Sequence, residues 1–513
     1  MNLSLLIHTV RYIKPIQLFG QIFKRINRVT IKTDKEKSGI SFVLKVNPII
    51  KPNSLINNSF CFINIKSNFE SWNDNRHGAL WRYNLNYMDW LQQADIDRDI
   101  CIEWIDKFIS DSKTNRIGFE PYPTALRSVN WIKFFILNPE CRSKIRDGFL
   151  YSQIVLLSKN IEYHLLGNHI IEDLYSIYIG SLYFQDYSLN RKSKRILKKE
   201  LEEQILPDGA HFEQSAMYHS IILERLLDCI NFSLSAPFND PDNIFIDFLR
   251  SKAKIMLGNL ENILWKDGSI PLINDAAYGI ASSPEEILLY AKRLGLSWYP
   301  LPLKECGLRH ISFYNKEVLI DVADICATYQ PGHSHADTFT YEMRIDGVPF
   351  IIDTGTSTYN KNELRDYERS TAAHNTVSVE GRNSSDTWSG FRIGKRAKVK
   401  IIADSNNHIE AVHQGFGKKC KHYRAFRVKD SKFIIEDTIE CNKKSISYIH
   451  FAPNVKITSY SKELIETNRA KIFLSGAISI SIIKGYSATE FNRLREIQIA
   501  LIEFKSHLTH IIE

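Results

Sequence analysis

The chain has 513 residues, with 66 Lys and Arg against 58 Asp and Glu, 44% hydrophobic residues, 23 Tyr and 28 Phe. That length suits two or three domains, each able to bury its own core, and the composition excludes a disordered chain. The formal charge of +8 is modest for this size and both signs are interspersed, which argues against nucleic-acid binding and leaves an acidic sugar polymer compatible.

Residues 1–70 read as a basic segment and a small capping region. The opening MNLSLLIHTVRYIKPIQLFGQIFKRINR lacks the charged start, apolar centre and small-residue cleavage site of a secretory signal, which points to the cytoplasm. No window reaches ~18 uninterrupted apolar residues, so no bilayer span is expected. Arg11, Lys14, Lys24, Arg25 and Arg28 make the stretch basic and amphipathic. It suits either a helix docked on its own domain or one in peripheral contact with a membrane surface. The eight cysteines are scattered without a CxxC pair, which suggests buried thiols rather than a zinc knuckle or a disulfide framework.

From 71 to 303 apolar residues recur at helical spacing, as in YMDWLQQA, WIKFFIL and EDLYSIYIGSLYF, with short polar or Pro-bearing connectors. This predicts packed helical hairpins. The run LNRKSKRILKKELEEQ reads as a solvated helix face. In GNHIIEDLYS, Asn168 or His169 shares one helix side with Glu172, at spacings of four and three. An amide and an imidazole displayed together can grip a carboxylate; a satisfied core or cap histidine is the simpler alternative. In LPDGAHFEQSAMYHS, a Pro-Asp-Gly turn precedes His211, Glu213, Tyr218 and His219, which the following helix start would present together.

From 304 to 513 the pattern changes to short alternating or β-branched runs such as HISFYNKEVLIDV, VPFIIDTG and KFIIEDTIE, punctuated by turns. An antiparallel β-sandwich is expected, with the boundary near 300–308. His333 and His335 stand two apart and would project from one face of a strand. Asp353 follows the strand VPFII, and His374 begins another. Two imidazoles and a carboxylate from neighbouring strands make a reasonable zinc set, or else a hydrogen-bonded structural cluster.

Taken together, GNHIIE, LPDGAHFEQSAMYH, NDAAYG, GHSHADTFTYEM, VPFIIDTGTSTY and YERSTAAHNTVSVEG resemble the heparinase II/III family of polysaccharide lyases, in the same order along the chain. The opening TVRYIKPIQLFGQIFKRINR resembles a branch from bacterial capsule and O-antigen gene clusters, some members of which lack signal peptides. The resemblance implies an (α/α) toroid followed by a β-sandwich, with the cleft between them and an acidic polysaccharide or oligosaccharide as substrate. It implies that Asn168 and His169 neutralise a uronic-acid carboxylate and that Tyr218 and His333 act as base and acid. Glu172, His211, His219 and Arg369 become substrate-contact candidates. His335, Asp353 and His374 would hold a structural zinc that orders the loop carrying His333; no organic cofactor is implied. Relatives that degrade glycans often work in the periplasm, an alternative location to the cytoplasm.

These roles suit β-elimination, because the C5 proton of a uronic acid leaves only if charge developing on the adjacent carboxylate is stabilised, worth about 3 kcal/mol per donor. A phenol is a poor base near neutrality unless a cation such as His333, His219 or Arg369 lowers its pKa. Ala216 and Met217 stand where relatives often carry a proline before the tyrosine, and YIHFAP around His450 is a thin version of a histidine-bearing family segment. A glycoside hydrolase would instead need two carboxylates across the bond, for which Glu172 and Glu213 are available. A non-catalytic glycan-binding or assembly protein of polysaccharide biosynthesis is the third reading.

Overall fold

The computed structural model describes residues 3–26, 31, 37–238 and 243–513; Arg28, part of the basic segment, lies outside them. Nine α-helices between Gly78 and Arg293 precede an almost wholly β region that opens with the strand Leu308–Phe313, among the described residues. Helix starts carry the expected chemistry: Asp97, Ser143, Asp186 and Ser215 each accept a backbone N–H from the first turn, and Ser283 with Glu286 forms a reciprocal capping pair.

The helix Gly167–Tyr183 is buried on nearly every side because it packs against Pro121–Leu137, Tyr187–Gln204 and Ala216–Ser235. By contrast, Tyr187–Gln204 buries Leu197 and Leu201 and turns most of its lysines and arginines outward. Between the N-terminal helices and the helical core sits a feature the sequence pattern did not announce, a three-stranded antiparallel sheet of Leu55–Ile56, Ser59–Phe62 and Ile65–Asn68. Its Phe60 and Phe62 pack edge-on or tilted against Trp81, Trp90 and Trp104.

The β region holds an eight-stranded sheet and two four-stranded sheets, all antiparallel within each sheet. In the large sheet Lys432–Ile439 lies between His422–Lys429 and His507–Ile512. One smaller sheet runs Leu308–Phe313, Lys316–Asp321, Tyr341–Ile345, Val348–Ile351; the other pairs Ser445–His450 with Val377–Val379 and Arg493–Phe504. Phe350, Phe426, Phe433, Phe451 and Phe504 fill the core shared by these sheets.

Two expectations are corrected. Cys420 and Cys441 form a disulfide across the adjoining strands that begin near His422 and end near Ile439, while the other six cysteines are free. The pairing joins residues far apart in sequence, so no spacing motif marks it. The segment 331–340 is irregular rather than strand, because its backbone is occupied by contacts to other segments: His333 O accepts from Asp275 N, and Ala336 N donates to Arg369 O. Among the described residues no helix is long and apolar enough to cross a membrane.

Candidate active site

A cavity of about 330 Å³ opens between the helical and β regions. Asn168, His169, Tyr218 and His333 all line it, joined by Lys51, Tyr83, Tyr87, Tyr122, Arg225 and Tyr359. Four residues from three separate stretches of sequence therefore meet at one place.

The helix that carries Asn168 and His169 starts abruptly. Leu166 and Gly167 both have positive φ (62° and 61°), a conformation costly for leucine, and a Cβ on Gly167 would come within 2.3 Å of Glu213 Oε1. This close approach lets Glu213 receive both the backbone N–H of Asn168 at 3.0 Å and its side-chain Nδ2 at 2.8 Å. The amide is thereby aimed, with Nδ2 also 3.4 Å from His333 Nε2. His169 is half-exposed to the cavity and donates from Nδ1 to Glu162 Oε2 at 2.7 Å. Burial disfavours a charge on this imidazole, but Glu162 beside it outweighs burial and raises its pKa above the ordinary histidine value.

Tyr218 lies in the first turn of Ala216–Ser235, where Ser215 accepts its backbone N–H at 3.3 Å and donates its own hydroxyl to Asp275 O at 2.6 Å. The serine cap thus orders the turn from which a proline is missing. The Tyr218 ring lies 3.9 Å, centroid to centroid, from the His333 ring, and its hydroxyl is 3.2 Å from that of Tyr359. Burial pushes the phenol's pKa up, only partly offset by the Tyr359 contact, so near neutrality Tyr218 is a proton donor.

His333 is fixed by Asp275, which sits in the loop between the helices Asn243–Ile263 and Pro284–Arg293. Its Nδ1 donates to Asp275 Oδ2 at 2.9 Å, and His335 Nε2 donates to Oδ1 at 2.9 Å. Arg365 donates to both oxygens, at 2.5 and 2.7 Å, and Thr356 adds a bond at 3.2 Å. Burial works against the charge on Asp275, but Arg365 and the two histidines hold its carboxyl well below the usual range. Since an ionised carboxylate only accepts, His333 presents a proton at Nδ1 to Asp275 and turns Nε2 to the cavity side.

The remaining candidates lie elsewhere. Glu172 is buried behind Arg225, 3.4 Å from its Nε, and burial pushes its carboxyl up to about 7. His219 accepts the His211 backbone N–H at Nδ1 and donates from Nε2 to Met256 O, while His211 Nε2 pairs with Gln204. Both are core pins, and burial pushes each imidazole down to about 4. Arg369 donates to Ser334 O at 2.8 Å, so it holds the His333 loop from behind rather than touching the cavity. The cation beside the phenols is instead Arg365, 5.0 Å from the Tyr359 ring centre.

The expected zinc set is only partly assembled. The His335 and His374 rings are 5.3 Å apart, and His335 Nδ1 and His374 Nε2 are buried without partners. Asp353, however, accepts from His374 Nδ1 at 2.7 Å and from Gly355 N at 2.9 Å, so both its oxygens are engaged. Among the described residues no group of three or more His, Cys, Asp or Glu side chains gathers to hold a metal. Ordering of the His333 loop is provided by Asp275, Arg369 and Asn274, whose Oδ1 accepts the His335 backbone N–H at 3.1 Å.

Sequence reading missed Asp275, Arg365, Glu162 and Tyr359. The stretch NDAAYG was noticed without its aspartate being singled out; the faint signal was an Asn-Asp pair at a turn, and Asn274 does have φ of 61°.

Comparison with known proteins places the chain in a family. Residues 299–510 match the family "Heparinase II/III-like, C-terminal" and residues 128–289 match "Heparinase II/III N-terminus". A heparin-sulfate lyase of Bacteroides stercoris is 21% identical over 423 residues, which span 74% of this chain and 60% of that protein's length. Among solved structures, one described as heparinase III superposes with a TM-score of 0.66 at 14% identity, covering 97% of this chain and 89% of its own. The heparan sulfate lyase HepC of Pedobacter heparinus gives 0.55 at 15% identity, with 89% and 80% covered. The chain belongs to the heparinase II/III family, and its fold is that family's helical toroid followed by an antiparallel β-sandwich.

Proposed function

We propose that this chain is a polysaccharide lyase that cleaves a uronic-acid-containing glycan by β-elimination. The observation that carries the reading is the close Tyr218–His333 ring pair, drawn from the two halves of the molecule, beside the amide of Asn168 and the imidazole of His169, whose pKa Glu162 raises. The uronate carboxylate would lie against Asn168 Nδ2 and His169, where negative charge developing during C5 deprotonation is stabilised by an amide donor and an imidazole whose charged form Glu162 favours. With Nδ1–H committed to Asp275, His333 Nε2 is the group suited to take the C5 proton. Tyr218, held protonated, is suited to deliver a proton to the leaving glycosidic oxygen. The C4–O bond then breaks and a C4–C5 double bond forms.

The lining also bears on the substrate. Its lysine and its arginine are already matched: Lys51 pairs with Glu224 at 2.5 Å, and Arg225 with Asp228 at 2.7 Å. Such a lining favours a carboxylate-bearing sugar read by Asn168 and His169 over a densely sulfated one. Hydrolysis finds less support, since Glu213 is spent on Asn168 and Glu172 on Arg225.

The test is incubation of the purified protein with uronic-acid polysaccharides, sulfated and unsulfated. Unsaturated products with the short-wavelength ultraviolet absorbance of a conjugated double bond are expected, and both Tyr218→Phe and His333→Ala should abolish them. Saturated products with new reducing ends, or unchanged activity in both variants, would refute the assignment.

A further inference from the structure

Of the two N-terminal helices, Leu3–Val10 and Pro15–Ile26, the second is seated on the body in an inverted way. A surface helix ordinarily docks through its apolar stripe and shows its polar face to water. Here the helix Pro15–Ile26 docks through a polar residue and a glycine. Gln17, only 4% exposed, donates from its amide to Leu165 O at 3.2 Å and Tyr329 O at 3.3 Å, while Gly20 packs so closely that a Cβ there would meet His164 N at 2.6 Å. Lys14, just ahead of the helix, pairs with Glu203 and lies 3.8 Å from the Tyr329 ring centre.

The apolar residues consequently face outward. Ile16, Leu18, Phe19, Ile22, Phe23 and Ile26 are all exposed, Phe19 by 72% and Ile26 by 74%, and Leu3, Ile7 and Val10 of the preceding helix are exposed as well. Residues 3–26 contain no Asp or Glu, and Arg11, Lys24 and Arg25 border this surface. Between the helix and residues 158–164 runs a groove of about 900 Å³ whose far rim carries Lys159 and Lys192.

We propose that this face docks on an anionic lipid surface. Apolar side chains with basic residues at their margins and no acid among them match the headgroup–acyl boundary of a negatively charged leaflet in both shape and sign. A second copy of the chain would oppose the same basic margin to itself. The docking helix is held by the carbonyls of Leu165 and Tyr329, three residues before Asn168 and four before His333, so the lipid-facing surface is fastened to both segments that carry the site.

The test uses the full chain and sedimentation with vesicles of phosphatidylcholine alone or of phosphatidylcholine and phosphatidylglycerol in equal parts. Pelleting with the anionic vesicles and not with the neutral ones is expected, weakening as salt is added. The double substitution Phe19→Glu/Ile22→Glu, at exposed positions, should keep the melting temperature and lower binding by about tenfold or more. Lys24→Gln/Arg25→Gln should lower it about fivefold per residue. Failure of the wild type to pellet, equal pelleting of neutral and anionic vesicles, or undiminished binding in both variants overturns the proposal. So does a wild-type dimer by light scattering that Phe19→Glu/Ile22→Glu renders monomeric without vesicle binding, which would make the face a contact between copies.

Discussion

Two buried aspartates in this molecule are built from nearly the same parts. Asp437, inside the β region, receives Arg424 Nε and Nη2 at 2.7 and 2.8 Å and His422 Nε2 at 2.7 Å. Asp275, between the halves, receives both terminal nitrogens of Arg365 and two histidines. In each, burial opposes the charge and the surrounding cation and imidazoles overcome it, so the carboxyl is held below its ordinary range. The difference lies in what stands beyond the carboxylate. Arg424 goes on to bind Phe339 O and Asn375 O and ends in packed backbone, whereas His333 goes on to face Tyr218 and a cavity. A depressed carboxylate is therefore no mark of a reaction centre on its own; an imidazole whose second nitrogen reaches open space is the informative part.

The largest expected effect removes the group that only one of the two clusters has. Tyr218→Phe should lower kcat by about a thousandfold with an unchanged melting temperature. Next, Asp275→Asn and Asp437→Asn should both destabilise by about 3–5 kcal/mol in denaturant titrations, since each strands a buried arginine. Only Asp275→Asn should also cost activity, about a hundredfold in the folded fraction, because an amide can leave His333 in the wrong tautomer. Equal activity losses in both would erase the distinction. Acid should act on both alike: a carboxyl lowered on folding contributes stability above its unfolded pKa of about 3.9 and loses it as pH falls further. Unfolding midpoints should accordingly drop steeply below about pH 4, and less steeply in either variant.

A subtler effect concerns His169, whose raised pKa depends on Glu162. If its cationic form holds the uronate, activity falls as pH rises through that pKa, and Glu162→Gln should move this alkaline limb to lower pH. Smallest of all is Glu172→Gln: because Glu172 lies behind Arg225, kcat should stay within about threefold of wild type, consistent with removal of one partner distant from the reacting atoms.

Much of this was legible in the sequence, for identifiable reasons. Helices from Gly78 onward announced themselves because apolar residues recur at helical spacing, and Asn168, His169, Tyr218 and His333 stood in short, chemically unusual clusters. Asp275 did not, because its meaning depends on partners 58 and 90 residues away that only the closed fold supplies. His211 and His219 misled in the opposite direction: near Tyr218 in sequence, they turn back into the helical core and spend their nitrogens there. Arg369, expected beside the phenol or the substrate, instead holds the backbone of the His333 loop, a distinction that depends on which way a short turn faces. The disulfide and the small sheet at Leu55–Asn68 escaped because strand pairing, unlike helix formation, leaves little local record.

Asp275 belongs to the helical half, yet most of its bonds run to the β half. Prising the two halves apart would strand a charged carboxylate, an arginine and two imidazoles at once. Wholesale gaping of the molecule is thus disfavoured, and whatever enters the cavity must do so with the two halves still joined.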